Sequence, residues 1–120
     1  MKKLTLALGG AMVFAMAASV QAADLSAGKA AYEKFNCASC HGADAKTSTM
    51  PAYPILAGQH ADYLAHALRA YQRGTANAPA SANIRKNAIM GAMAAPLQPV
   101  DIENIAAWLA SLPSPLAIRR

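Results

Sequence analysis

The chain has 120 residues, of which 55% are hydrophobic, and its 11 basic and 6 acidic side chains give a formal net charge of +5. This length fits one domain and leaves little room for a second. No run of basic residues is longer than two, as at Lys2-Lys3 and Arg119-Arg120, so the composition gives no support for nucleic-acid binding.

The first 23 residues have the pattern of a secretory signal peptide. Lys2 and Lys3 precede an apolar run over residues 4–18, and Val20 and Ala22 satisfy the small-residue rule for cleavage. The run is shorter than the roughly 18 to 20 apolar residues that span a bilayer, which disfavours a retained membrane anchor. We therefore expect cleavage of residues 1–23 and an exported, periplasmic product with no permanent membrane span. Without Lys2 and Lys3 the net charge falls to about +3.

Residues 24–112 are expected to form the domain, followed by a short tail over residues 113–120. Its first helix is predicted by apolar and small residues at helical spacing, namely Gly28, Ala31, Tyr32 and Phe35. Asp24 or Ser26 is available as the N-cap, and the helix is expected to end just before Cys37.

A C-x-x-C-H motif follows this helix and contains both cysteines of the chain, as Cys37, Cys40 and His41. Thiols at this spacing each add to one vinyl group of a haem, and the histidine becomes an axial iron ligand. A disulfide would close a very small loop and leave the histidine unexplained. A thioredoxin-like pair needs a preceding strand, and zinc needs partners that His60 and His66 do not supply at the usual paired spacing. The motif therefore predicts one covalently bound haem c and its iron.

Three further helices are predicted downstream. One is indicated by Leu64, Ala67, Leu68 and Tyr71, with Gly74 ending it as the residue after its C-cap. A shorter helix is expected between about Ser81 and Met90. The last is indicated by Ile102, Ile105, Ala106 and Leu109, with Pro99 in its first turn and Pro113 ending it. No alternating pattern predicts a strand, so we expect little or no sheet.

Taken together, these residues resemble class I c-type cytochromes, especially the single-haem bacterial types similar to cytochrome c553 or to one half of the dihaem cytochrome c4. The resemblance covers nearly the whole of the predicted mature chain. It is carried by Gly28, Tyr32, the haem motif, the Pro54-Ile55-Leu56-Ala57-Gly58-Gln59 run, Tyr63, Leu64, the Met90 segment and the stretch from Asp101 to Trp108. The sequence departs from the family at Gln98, where similar proteins commonly place a capping residue such as serine.

The resemblance implies an all-α cytochrome c fold, with three to five helices around one covalently attached haem and with the first and last helices crossing. Gly28 would permit the close approach at the crossing, and Trp108 would pack there as a core aromatic. It also implies that the Pro54 carbonyl accepts a hydrogen bond from His41, which would orient the ligand, and that Leu56 lines the haem pocket.

The sixth iron ligand decides the function, because a filled coordination sphere suits an electron carrier and an open one binds small ligands. Met50, Met90 and Met93 remain after signal cleavage, and each is equally explained as core filler. The small residues around Met90 and Met93 favour these two over Met50, and spacing alone does not separate them. The resemblance selects Met90, with Met93 as the alternative. His60 is expected at a helix start and His66 on an exposed helix face, neither as a ligand.

These features predict a soluble electron carrier rather than an enzyme, with His/Met ligation of one haem. The alternatives are a haem c subunit of a larger dehydrogenase or oxidase complex and, less favoured, an open-site haem enzyme. Redox partner proteins, among them a respiratory oxidase or dehydrogenase, are expected to dock transiently. Lys34, Lys46 and Lys86 would steer acidic partners, or serve only as solvated charges.

Overall fold

A computed structural model describes residues 22–114. The predicted signal peptide therefore lies outside the described residues except for Ala22 and Ala23, and so do residues 115–120 of the tail. Five α-helices and one short 3-10 helix make up the regular structure of residues 22–114, which contain no strand. The helices are α1 (Leu25–Lys34), α2 (Ala38–His41), α3 (Ala61–Thr75), α4 (Ala88–Ala94) and α5 (Pro99–Ser111), and the 3-10 helix is Ala80–Ala82. This confirms the all-helical prediction. Within the described range, no helix has the length and apolar character needed to cross a membrane.

Helix α1 begins at a side-chain cap and crosses α5 closely. The Asp24 carboxylate accepts hydrogen bonds from the backbone N–H groups of Ser26 and Ala27, at 2.9 and 3.1 Å, which is the N-cap arrangement predicted for Asp24. These bonds to its charged form lower the pKa of Asp24. The Asp24 N–H donates to the Asn104 side chain at 2.8 Å, so the start of α1 is tied to α5.

The crossing of α1 and α5 depends on Gly28 and on an aromatic pair. A Cβ at Gly28 would collide with the backbone carbonyl of Asn104 and with the Cβ of Trp108. Only glycine therefore permits this approach. The rings of Tyr32 and Trp108 lie beside it with centroids 5.0 Å apart and planes tilted by 52°. The predicted crossing and the core position of Trp108 are confirmed.

Helix α3 packs against both α4 and α5, and it extends beyond its predicted end. Gly74 is not the residue after the C-cap, because it lies within the helix, where a Cβ would collide with the carbonyl of Arg85. Ala76 is the C-cap and Asn77, with φ of 56°, takes the left-handed position instead. The Ala78 N–H bonds the Arg73 carbonyl at 3.1 Å, as in a Schellman motif. The glycine serves close packing, and asparagine ends the helix.

The helix predicted over about Ser81 to Met90 is also wrong in its position. The chain forms the 3-10 helix at Ala80–Ala82, passes through a left-handed residue at Asn83 and a stretch without regular secondary structure, and enters α4 only at Ala88. The reason is the cap at Asn87, whose side chain accepts a hydrogen bond from the Met90 N–H at 2.9 Å. Met90 therefore lies in the first turn of α4 rather than at the end of a helix.

Helix α5 begins and ends as predicted, with Pro99 as its first residue. Its apolar residues at helical spacing, Ile102, Ile105, Ala106 and Leu109, are all buried. At the N-cap, where the sequence departs from the family, the backbone N–H of Gln98 donates to the Asp101 carboxylate at 3.0 Å. Asp101 therefore supplies a capping bond from inside the helix, which compensates for the unusual Gln98.

Candidate functional site

The end of α1 delivers the C-x-x-C-H motif. Asn36, with φ of 60°, takes the left-handed position after the Phe35 C-cap. Its N–H bonds the Glu33 carbonyl at 3.0 Å, and the Cys37 N–H bonds the Tyr32 carbonyl at 3.1 Å. This Schellman motif reverses the chain and starts α2 at once. Helical spacing then places Cys37 and Cys40, three residues apart, on the same side of the turn.

Both cysteines of the motif have free thiols and are half-buried. Burial raises the pKa of the Cys37 thiol above its ordinary value. Partial exposure on one side of a single helical turn leaves both sulfurs open to a group that approaches that side. This arrangement matches what double covalent attachment to one planar group requires.

His41 is the one buried residue of α2, with 6% of its surface exposed. Its Nδ1 atom lies 3.1 Å from the carbonyl oxygen of Pro54, the contact that the family resemblance implies. Since a carbonyl oxygen only accepts, the ring hydrogen is on Nδ1 and the lone pair is on Nε2. An imidazole oriented in this way has the donor set of a metal-bound histidine, and it fits a haem iron.

The loop after His41 brings Pro54 into place. Gly42 adopts φ of 84°, and a Cβ there would collide with the Thr47 carbonyl. The carbonyl of fully buried Ala45 accepts from the N–H groups of Leu56 and Ala57 at 2.9 and 3.0 Å. Because the loop around Ala45 bonds directly to the Pro54 loop, the acceptor for His41 is held by backbone contacts. Leu56 is half-buried and packs against the core.

Asp44 organises the same loop. Its carboxylate accepts from the Lys46 N–H at 3.0 Å and from the N–H and hydroxyl of Thr47, both at 2.7 Å. These three hydrogen bonds, the one from the Lys46 N–H foremost, lower the pKa of Asp44 to about 2. The loop is therefore shaped around a charged carboxylate. The sequence analysis did not single out Asp44. An aspartate that accepts hydrogen bonds from backbone N–H groups two and three residues later is a common feature of turns.

The three candidate methionines differ in burial. Met50 is 50% exposed, in the loop before Pro51. Met90 and Met93 are both half-buried and lie three residues apart on α4. His60 is the N-cap of α3 and His66 is exposed on α3, as expected for residues without a ligand role. Burial therefore favours Met90 and Met93 over Met50, and the choice between these two remains a prediction.

Helix α3 holds the segment that carries Met90, through residues that sequence reasoning missed. Arg73 donates two hydrogen bonds to the Asn83 carbonyl, at 3.1 and 2.8 Å. The Arg85 guanidinium lies over the rings of Tyr63 and Tyr71 and donates to the Tyr63 hydroxyl at 3.0 Å. Hydrogen bonds to both tyrosines raise the pKa of Arg85. Of these two arginines only Arg73 lies on α3, beside Gly74, whereas Arg85 lies between the 3-10 helix and α4, so local sequence did not indicate its contacts with the two tyrosines.

The side chain of Gln72 holds the other end of the same segment. Its Nε2 donates to the carbonyls of Ala94 and Leu97, each at 2.9 Å. Gln72 follows Leu64 and Leu68 at intervals of four residues, so it continues the inward stripe of α3. A polar residue in register with an apolar stripe was the sequence signal for this contact.

A family model described as Cytochrome c matches residues 25–113 of the chain. A thiosulfate dehydrogenase electron acceptor from Stutzerimonas stutzeri (strain A1501) is 32% identical over 96% of this chain and 51% of its own length. Cytochrome c-554(547) from Halothiobacillus neapolitanus is 35% identical over 76% of this chain and 99% of its own length.

A solved cytochrome structure is also similar to this chain. A crystal structure of reduced recombinant cytochrome c4 from Pseudomonas stutzeri matches with a TM-score of 0.65 and 36% identity, over 77% of this chain and 47% of that one. The chain spans about half or less of the cytochrome c4 and electron-acceptor relatives, between 34% and 51% of their length.

Proposed function

The chain belongs to the cytochrome c family, and from this membership we propose that it is an electron carrier with one covalently bound haem c. Cys37 and Cys40 would attach the haem, and His41 and Met90 would ligate its iron. Pro54 orients His41, and Leu56 contributes to the pocket wall. The observation that carries the proposal is the buried His41 ring, whose Nδ1 is committed to the Pro54 carbonyl at 3.1 Å.

When bound, the haem supplies a one-electron couple between the ferric and ferrous states. His41 keeps one orientation in both states, because its Nδ1 hydrogen stays bonded to a backbone carbonyl. A methionine opposite a histidine raises the reduction potential and closes the iron to outside ligands. The two thioethers hold the cofactor on α2 without relying on iron coordination. These roles suit repeated electron transfer, in which no bond to a substrate forms or breaks.

The partners are redox proteins that dock transiently. The electron-acceptor relatives are named for a thiosulfate dehydrogenase. Their similarity over almost the full chain supports a dehydrogenase as donor, either by encounter or within a complex. The pattern of residues 1–23 supports export, and a periplasmic site is where covalent haem attachment and such partners meet.

Three measurements on the exported protein test this function. The mass should exceed that of the mature polypeptide by one haem that acid and organic solvent do not extract. The ferric spectrum should show the weak far-red sulfur-to-iron band, and carbon monoxide should leave the ferrous spectrum unchanged. Cys37→Ser and Cys40→Ser variants serve as controls that lack normal attachment. A high-spin spectrum that responds to carbon monoxide would contradict electron carriage in favour of an open-site haem protein.

A further inference from the structure

The Gln72 side chain bridges α3 to the carboxyl end of α4, the helix that carries Met90. We propose that Gln72 is a positioning residue for the sixth iron ligand, acting through the backbone of α4. The inference rests on the proposed function, because it assumes that Met90 ligates the iron. Gln72 itself belongs to no ligand set, and the haem motif lies on a different helix.

The two hydrogen bonds of Gln72 reach backbone carbonyls of buried residues. Ala94 and Leu97 are buried, with 1% and 5% of their surfaces exposed. Ala94 is the last residue of α4, and its carbonyl also accepts a hydrogen bond from the Leu97 N–H at 3.1 Å in the turn that follows. The Gln72 Nε2 reaches both carbonyls at 2.9 Å and so joins the end of α4 to the turn that precedes α5. Removing this donor takes one hydrogen bond from each of these carbonyls and breaks the link between α3 and this turn, while the Ala94 carbonyl keeps its bond from the Leu97 N–H.

Helix α4 depends on such contacts for its position. It has seven residues, far fewer than the roughly 12 to 15 that an isolated helix needs to be even marginally stable in water. Asn87 caps its start, and Gly91 permits a close approach to Thr75 and to the backbone of Tyr71. Gln72 secures its end, one helical turn beyond Met90. Met90, whose side chain must reach the iron, therefore lies between the Asn87 cap and the Gln72 hydrogen bonds.

An intramolecular ligand competes with outside ligands through its effective concentration, which rises as its position is better defined. Loosening one end of α4 broadens the positions available to the Met90 sulfur. An external base such as imidazole then displaces the methionine from ferric iron more easily. The prediction concerns ligand competition, and it is separate from any loss of overall stability.

The test measures the dissociation constant of imidazole for the oxidised holoprotein, together with its denaturant midpoint. Gln72→Leu and Gln72→Glu both remove the donor, and they differ in charge and size. Gln72→Lys keeps donors on a flexible side chain. Arg69→Ala is the matched control. Arg69 lies on α3, as Gln72 does, and its replacement breaks an exposed ion pair with Glu103 of α5. We expect imidazole to bind about tenfold more tightly to the Leu and Glu variants, as two lost hydrogen bonds allow, and close to wild type in the Lys and Arg69→Ala variants.

Unchanged imidazole binding in Gln72→Leu and Gln72→Glu overturns the inference. An equal rise in imidazole affinity in Arg69→Ala also overturns it, because that rise would reflect general loosening of α3. The wild-type spectrum separates this failure from failure of the proposed function. If the sulfur-to-iron band is absent from the wild type, methionine ligation itself is wrong. If the band is present and the Gln72 variants behave as wild type, only the positioning role is wrong.

Discussion

The Tyr32 hydroxyl in α1 donates a 2.8 Å hydrogen bond to the carbonyl of Gly42, the residue directly after His41. Tyr32 is 1% exposed and also contacts the Trp108 ring, so one side chain joins the helix crossing to the loop of the haem motif. The stability of the α1–α5 core is therefore coupled to the position of His41.

Replacing Tyr32 with Phe keeps the ring in the core and leaves the Gly42 carbonyl without its donor. We expect the free energy of unfolding to fall by about 1 kcal/mol, the usual size for one partly buried hydrogen bond. Burial, more than the nearby cysteine and aspartate charges, raises the pKa of Tyr32 above its ordinary value of 10.0. The neutral phenol is thus the form that stabilises the fold, fully so below pH 10, and its contribution is lost as pH rises through the folded-state pKa. Denaturant melts should show that the difference in unfolding free energy between wild type and Tyr32→Phe is smaller above pH 10 than at pH 7. A difference that is larger above pH 10 would contradict this.

Substitution of the two half-buried methionines of α4 tests the choice of ligand. Met90→Leu should abolish the sulfur-to-iron band completely and lower the reduction potential, with haem still attached through Cys37 and Cys40. Met93→Leu should keep the band, because its side chain acts in packing. Absorption spectra and voltammetry of both variants make the comparison, and each is the other's control. The reverse result would move the ligand to Met93.

Asp44→Asn tests the loop that follows the motif. The carboxylate is stabilised by three hydrogen bonds that hold its pKa at about 2, below the ordinary 3.8. A depressed pKa contributes stability above the unfolded-state value, and that contribution is lost as pH falls through the folded-state value. Wild type should therefore have the higher denaturant midpoint near neutral pH, and its advantage over Asp44→Asn should shrink between about pH 4 and pH 2. Thr47→Ala, which removes only the hydroxyl donor, should lie between the two. An advantage that persists unchanged at pH 2 would rule out this role for Asp44.

The sequence predicted the parts of the fold that follow from short-range patterns. The apolar stripe of α5 was placed correctly, because helical spacing determines which residues share a face. The roles of Gly28 and Trp108 at the helix crossing were implied by the family resemblance. Residue type and position limited the N-cap of α1 to Asp24 or Ser26, and the structure has Asp24 in that role. The contact between His41 and Pro54 required the family resemblance, since nothing in a spacing of 13 residues brings two groups together.

The connection between α3 and α4 was predicted poorly, for a physical reason. Asparagine is a weaker signal than glycine for the left-handed conformation, so Gly74 was given the role that Asn77 has. The start of α4 depends on the Asn87 side chain and on anchoring by Arg73 and Arg85, whose partners lie ten or more residues away. Such tertiary contacts outweigh local preference, and a single sequence does not reveal them.

Gly74 and Asn77 make this correction testable. For a solvent-facing position within a helix, Gly→Ala stabilises by roughly 0.8 to 1 kcal/mol, because alanine has the higher helix propensity. At Gly74 the added Cβ would meet the Arg85 carbonyl, and backbone cannot move aside cheaply. We therefore expect Gly74→Ala to lose about 1 to 2 kcal/mol of unfolding free energy, as overpacked sites do.

Substitutions at Asn77 separate this collision from a helix-ending role of Gly74. Asn77→Gly should gain about 0.5 kcal/mol and Asn77→Ala should lose about 1 kcal/mol, since the left-handed position falls on residue 77. If both Asn77 variants melt as wild type does, the helix does not end there and Gly74 regains the capping role. Stabilisation by Gly74→Ala would show that Arg85 does not pack against this turn of α3.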